Sequence, residues 1–223
     1  MTSSALTVRT VIDGTEHPRD DIRRWELHRA RTALALLKDR IGDDAMRALL
    51  AEDVAAADRA MAPLPQASGG AWRSAVTEMT ATGITAGEFL AWWQGRLAGG
   101  DRTALLAANP EHYLADSADG VVEIIETIGS GPLRFFLTFH DGDTAPDDTP
   151  DSAYPVRIGG TGRLADGTEV ARVLHEFGDG PDGLRIRLTI RFPAAAPEHV
   201  FTGHQWHFAC EFLNWLEAAH AAR

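Results

Sequence analysis

Leu184-Arg-Ile-Arg-Leu-Thr-Ile-Arg-Phe192 is the stretch on which the fold turns. Leu184, Ile186, Leu188 and Ile190 alternate with Arg185, Arg187, Thr189 and Arg191, so one face of a strand is apolar and the other cationic or wet. Such alternation belongs to an antiparallel sheet, because parallel strands are covered on both faces. Upstream, Gly178-Asp-Gly-Pro-Asp-Gly183 is a turn and Glu169 to Phe177 its partner strand. Further back, extended patterning marks Val156 to Arg163, then Leu133 to His140 and Val121 to Ile128, the last two joined as a hairpin through Gly129-Ser-Gly-Pro132. The acidic stretch from Asp141 to Pro155 reads as a loop. Downstream, the period becomes helical and apolar. The expected class is α+β, with helices first, an antiparallel sheet next, and a long final helix across a curved sheet.

The first half carries weaker signals. The first dozen residues read as a loose extension, and helical patterning starts near Asp20 with Trp25, Leu34 and Leu37. A second helix follows Gly42, where Met46, Leu49, Leu50, Val54, Ala57 and Met61 recur at three- and four-residue steps until Pro63 and Pro65 stop it. Residues 62 to 83 lack a clear period and read as a linker or draped loop. Thr85-Ala-Gly-Glu88 has the form of a capping box opening a helix with Phe89, Leu90, Trp92 and Trp93 on its apolar face. A short helix from Asp101 ends at Asn109-Pro110, since proline disfavours a helical residue before it, and His112 and Tyr113 emerge from that break. The expected division is a helical extension over residues 1–65 and a sheet-and-helix domain over residues 66–223.

The chain has 223 residues, a net charge of −11 and no cluster of Lys and Arg with interleaved aromatics, which argues against nucleic acid as a partner. Its one cysteine, Cys210, excludes an intrachain disulfide or a CxxC zinc module, and reads as a small core residue. No cationic-then-apolar leader and no run of eighteen apolar residues occurs, so a cytoplasmic protein that does not engage a membrane is expected.

The candidate chemistry lies on the last helix. In His207-Phe-Ala-Cys-Glu211, imidazole and carboxylate stand one turn apart, about 6 Å along the axis, where they could share a metal ion or a proton. His204, Asn214 and Ala218 fall on the same arc, with Phe208, Phe212, Leu213, Trp215 and Leu216 opposite. A polar stripe is also what the solvated face of any amphipathic helix looks like. This arc, however, has no Lys or Arg, unlike the stretch from Asp44 to Met61, and so suits a cavity lining. In the strand from Val121, Glu126 shares its side with Val122 and Ile124, opposite Glu123 and Thr127. If that side is the inner one, Glu126 must be paired, metal-bound or protonated; a wet edge strand is the alternative. His175 could point into the same cavity or out of it. His140 and His199 read as surface residues, and His204 as an open candidate.

Several segments, taken in order, resemble the diacetylphloroglucinol hydrolase and phloretin hydrolase family, zinc enzymes that cleave a carbon–carbon bond between an aromatic ring and its acyl group. Gly83-Ile-Thr-Ala-Gly-Glu-Phe-Leu-Ala-Trp92-Trp93 is similar to that family's helix with paired tryptophans, and Asn109-Pro-Glu-His112-Tyr113 to its Pro-Glu-Asp-His element. Ile124-Ile-Glu126-Thr-Ile-Gly129 resembles its glutamate-bearing strand, Val173-Leu-His175 and Arg185 to Phe192 its later hairpin, and His207-x-x-x-Glu211-x-x-Asn214 its terminal helix. The resemblance spans roughly residues 80 to 217. It implies a helix-grip, Bet v1-like α+β fold and a zinc ion held by His112, Glu126, His207 and Glu211. It also implies His175 and Glu126 as acid/base groups, and Trp92, Trp93, Tyr113 and Asn214 against an aromatic or polyketide-like substrate. The stretch between His112 and Glu126 is shorter than the family's, which leaves Glu123 as an alternative ligand. Only Tyr113 and Tyr154 are present to serve a phenol site. A non-catalytic carrier of aromatic polyketides and a metal-free cyclase are the alternative functions on the same fold. The N-terminal helices have no counterpart and would cap the cavity or mediate a homodimer.

Overall fold

The computed structural model describes residues 7–98, 100–129, 131–141 and 151–223. The chain divides into two compact units, one running to Gly42 and the other from Asp43 to Arg223. Most of the stretch read as an acidic loop, residues 142–150, and Ser130 of the first hairpin turn lie outside the described residues.

Within the stretch read as a loose extension, the described residues of the first unit include a hairpin, β1 (Thr10–Ile12) against β2 (Thr15–His17). Asp13 and Gly14 connect them with φ of 49° and 81°, the two positive angles that a two-residue type I′ turn demands and that an Asp-Gly pair supplies at little strain. Helix α1 (Arg19–Ile41) follows and stops at Gly42, whose φ of 72° no side-chain-bearing residue adopts readily. Its markers Trp25 and Leu37 are exposed, so no buried apolar stripe runs along it.

The second unit opens with α2 (Asp43–Leu49), α3 (Ala51–Met61) and α4 (Leu64–Ala67). The single helix expected after Gly42 is interrupted at Leu50, whose φ of −97° and ψ of 5° leave the helical region. Next come β3 (Trp72–Ala81), α5 (Ala86–Ala98), α6 (Arg102–Ala108) and β4 (His112–Ala118). A meander follows, β5 (Val121–Thr127), β6 (Pro132–Asp141), β7 (Val156–Arg163), β8 (Glu169–Gly180) and β9 (Gly183–Pro193), closed by α7 (Glu198–Ala221). The seven strands form one antiparallel sheet in the order β3-β9-β8-β7-β6-β5-β4.

Two strands correct the sequence reading. Residues 72–81 are not a draped loop but β3, paired with β9 from Trp72↔Pro193 to Ala81↔Leu184. At this edge only Ala75 is fully buried, so no apolar alternation betrays the strand. His112 and Tyr113 likewise open β4, which pairs with β5.

The sheet curves around α7, and the core lies between them. Leu184, Ile186, Leu188 and Ile190 point inward, as their alternation requires. On the other face Arg187 binds the buried Glu176 carboxylate through Nε at 2.6 Å and Nη2 at 3.0 Å. Helix α5 contributes Phe89, which meets Phe177 at 5.9 Å and Phe212 of α7 at 6.1 Å between ring centres. Each fully buried aromatic of this kind stabilises the fold by about 2–3 kcal/mol. Helix α6 is pinned to α7 by Trp215 Nε1 donating to the Ala104 carbonyl at 3.3 Å and Asn214 Nδ2 to the Ala108 carbonyl at 2.6 Å. Where α7 crosses the turn between β5 and β6, Gly203 faces Gly129 so closely that a Cβ on Gly203 would sit 2.8 Å from the Gly129 backbone. This strand order, with two helices between its first two strands and one long helix gripped by the sheet, is the helix-grip α+β fold. Among the described residues no helix is long and apolar enough to cross a membrane.

Candidate metal centre

His112 is placed by the break that ends α6. Asn109 leaves the helix with extended backbone; its Oδ1 accepts from the Glu111 amide at 3.0 Å, and its Nδ2 donates to the His207 carbonyl at 3.3 Å. The chain is thereby tied to α7 as it turns into β4. A register shift between His112 and Leu114 sets His112 opposite Glu126 of β5. His112 Nδ1 donates to the Leu105 carbonyl at 2.8 Å, which fixes the tautomer and leaves Nε2 as the lone pair of the neutral ring.

Four buried side chains meet at that lone pair. His112 Nε2 lies 2.9 Å from His207 Nε2, 3.4 Å from Glu126 Oε2 and 3.7 Å from Glu211 Oε1, and His207 Nε2 is 3.3 Å from Glu126 Oε2. One ligand atom from each of His112, Glu126 and His207 lies within 4.8 Å of the other two, so this group could hold a metal ion. Ligand atoms on one tetrahedral zinc, with bonds of about 2.0–2.2 Å, stand roughly 3.3 Å apart. The three-residue group already has that spacing, and two imidazoles with a carboxylate are a common zinc donor set. Glu211 stands slightly outside it.

The electrostatics describe a site tuned by burial and by its own charges. Burial works against a charge on His207, but the carboxylates of Glu126 and Glu211 outweigh it and hold the imidazolium up to about 9. Burial likewise opposes ionisation of Glu126, yet His207 and His112 keep its carboxyl well below the usual range. Glu211 moves the other way, raised because burial outweighs its histidine neighbours.

Glu126, His207 and Glu211 of the centre form part of the wall of an apolar cavity of about 610 Å³, counting its open mouth. Trp93, Phe135, Phe139, Val173, Phe208 and Trp215 supply much of the remaining wall, together with Val122 and Ile124 on the Glu126 side of β5. The inner placement of Glu126, left open by its alternation, is therefore settled. Glu123 is excluded as a ligand, since it faces the opposite side of the sheet and pairs with Arg47 at 2.8 Å and Arg134 at 2.7 Å.

His175 lines the same cavity, its ring edge-on to Phe208 at 5.3 Å, Phe212 at 5.4 Å and Trp93 at 6.1 Å, and burial alone pushes its pKa down to about 4. His204 is there too, pushed down to about 3 by burial and then by His207. His140 and His199 are exposed.

The residues expected against substrate divide. Trp93 lines the cavity. Trp92 does not; its ring lies under the Arg96 guanidinium at 5.6 Å. Tyr113 packs with Val54, Leu114 and Ile125 away from the cavity, its hydroxyl 3.0 Å from Thr127 Oγ1. Asn214 is occupied by the α6 carbonyl and by Cys210 Sγ at 3.6 Å, and Cys210 is half-buried rather than a core residue. On α7, His204, His207 and Glu211 are buried, as are Phe208, Phe212, Trp215 and Leu216 on the apolar side, while Leu213 and Ala218 are exposed. Phe135 and Phe139 were not singled out in the sequence; only their alternation on β6 could have pointed to them.

No protein-family model and no curated relative matches the sequence. Solved structures do. The crystal structure of Ara h 8.0201 is 11% identical, with 68% of this chain and 99% of that one covered and a TM-score of 0.47. An uncharacterised protein from Rhizobium leguminosarum is 15% identical, with 69% and 97% covered and a TM-score of 0.41. A protein from Mesorhizobium loti is 12% identical, with 65% and 95% covered and a TM-score of 0.38. Likenesses of this size say nothing about activity.

Proposed function

We propose that this protein is a zinc-dependent hydrolase that cleaves the carbon–carbon bond between an acyl group and a phenolic or polyketide-like ring. The observation that carries the reading is the convergence of His112, Glu126 and His207, the last two of which line an aromatic-walled cavity. The resemblance of residues 80 to 217 to the acylphloroglucinol-cleaving hydrolases supplies the reaction type. In the overall change, water gives its hydroxyl to the acyl carbon and its hydrogen to the ring carbon, releasing a carboxylic acid and the deacylated phenol.

Zinc, when bound, supplies a Lewis acid that polarises an acyl carbonyl or lowers the pKa of a water to about 7. The chain's own residues do the rest. Trp93, Phe135 and Phe208 hold the ring away from bulk water. His175, neutral in its apolar setting, takes a proton from the water at a ring nitrogen and delivers it to the ring carbon, which makes carbon a tolerable leaving group. Glu211, set back from the three-residue group, is the ligand able to yield room for substrate.

Elemental analysis of protein purified without a metal-affinity tag tests this first. About one zinc per chain, absent from His207→Ala, together with release of a carboxylic acid from an acylphenol, is expected. A His207→Ala variant that keeps both metal and turnover would refute the assignment. Protein free of zinc that binds an aromatic polyketide tightly would be a carrier, and turnover surviving thorough chelation would mark a metal-free enzyme.

A further inference from the structure

Three polar rings on the cavity wall have no hydrogen-bonding role within the fold. His175 and His204 each bury an Nδ1, and Trp93 buries its Nε1, with no partner among the described residues. An unpaired buried polar atom of this kind costs about 1–3 kcal/mol, and native interiors keep few of them. The rings are held instead by aromatic neighbours. Phe208 stands between the two histidines, edge-on to His204 at 4.4 Å and to His175 at 5.3 Å, while Phe192 meets His204 at 5.5 Å. His204 also stacks on His207 at 5.3 Å, beside the metal centre.

The chemistry of the wall narrows what could satisfy these groups. No Lys or Arg lines the cavity, so outside the metal centre the wall offers an anion no fixed cationic partner. The remaining wall is apolar and largely aromatic, which suits a flat ring. A neutral imidazole donates through one nitrogen and accepts through the other, and a hydroxyl can answer either. We propose that His204 is a specificity-determining residue and that, with His175, it hydrogen-bonds hydroxyl groups on the ring of a neutral, polyhydroxylated aromatic ligand. This rests on the cavity being the substrate site of the proposed hydrolase, and it assigns His204 a role beyond the metal ligands and His175.

A site built to hydrogen-bond a hydroxyl rejects the analogue lacking it, because the site's own polar groups are then left unpaired. Titration of the zinc-loaded full chain with 1,3,5-trihydroxybenzene and with benzene, neither of which carries an acyl group to cleave, followed by calorimetry, reads this directly. Wild type is expected to prefer the hydroxylated ring by roughly tenfold or more. His204→Phe should bring the two affinities to within about threefold while keeping zinc content, and His204→Gln, which keeps a donor and an acceptor, should retain part of the preference. His204→Phe is also expected to melt at or above the wild-type temperature, because it removes an unpaired polar group from an aromatic pocket. Should it fail to fold, His204→Leu gives the same reading. A preference that survives in the apolar variant, or that wild type lacks, overturns the inference. The assay reads no bond cleavage, so protein that holds no zinc or cleaves nothing, yet keeps a His204-dependent preference, refutes the hydrolase and leaves the inference standing.

Discussion

His207 and His175 sit in one cavity yet hold their protons in opposite ways. The unfolded imidazole titrates near about 6.5. His207, held up to about 9 when folded, contributes stability that is complete below about 6.5 and is lost as pH climbs through 9, on the order of 3 kcal/mol in all. His175 and His204, pushed down to about 4 and about 3, act on the acid side. Below about 6.5 the unfolded chain takes up protons that these buried rings refuse, so stability falls until the pH reaches their folded values. Metal-free protein should therefore be most stable near about pH 6.5, which urea unfolding in chelator checks. A flat profile on the alkaline side would rule out the ion pair of His207 with Glu126. Zinc held by the centre would reverse that limb, since a ligating imidazole must be deprotonated, so its stabilising effect should grow as pH rises. Glu126→Gln should flatten the alkaline limb and weaken zinc binding by at least about tenfold, measured by competition with a chromophoric chelator. The residues that share a side with Glu126 were legible in sequence, because Val122 and Ile124 alternate with Glu123, but not which side faces the cavity. The direction of His175 was not legible, because residues 173–178 of β8 are buried on both faces and carry no polar–apolar period.

Among the elements, those with local chemical signatures were readable and those defined by their neighbours were not. The Thr85–Glu88 capping box is present in full. The Thr85 amide donates to Glu88 Oε2 at 2.8 Å, and the Glu88 amide to Thr85 Oγ1 at 3.3 Å. Thr85→Ala should cost about 1 kcal/mol in chemical denaturation and leave zinc content untouched. Edge strand β3 owes its existence to pairing with β9, which no local pattern announces. The placement of α7 depends on a close approach that only glycine allows. In Gly203→Ala the new methyl would strike the Gly129 backbone, lifting the helix just before His204 and His207. A loss of roughly 1–3 kcal/mol together with weakened zinc binding is expected, and normal zinc affinity in this variant would show that the helix start does not set the centre.

For the whole molecule, the centre joins side chains far apart in sequence, His112 and His207 being separated by 95 positions. It therefore exists only once α7 has closed over the sheet, and metal binding should report on the second unit as a whole. Every side chain of the site lies between residues 93 and 215, inside the unit that begins at Asp43. A chain beginning at Asp43 should accordingly fold and bind about one zinc, and its melting temperature should rise on zinc addition as the full chain's does. Failure to bind would mean that the first forty-two residues are needed for the centre. The same closing helix also affects how molecules of this protein meet one another. Strand β3 is ten residues long and forms one margin of the sheet, where backbone groups without a strand partner invite a second chain to add on. Helix α7 reaches it at three points. Gln205 Nε2 donates to the Val76 carbonyl at 3.3 Å, Thr77 Oγ1 donates to the Gln205 carbonyl at 3.0 Å, and Arg73 pairs with Glu198 at 2.6 Å. The helix that completes the cavity thus also works as a guard against polymerisation, occupying with the molecule's own side chains a margin on which fibrils could otherwise begin to grow.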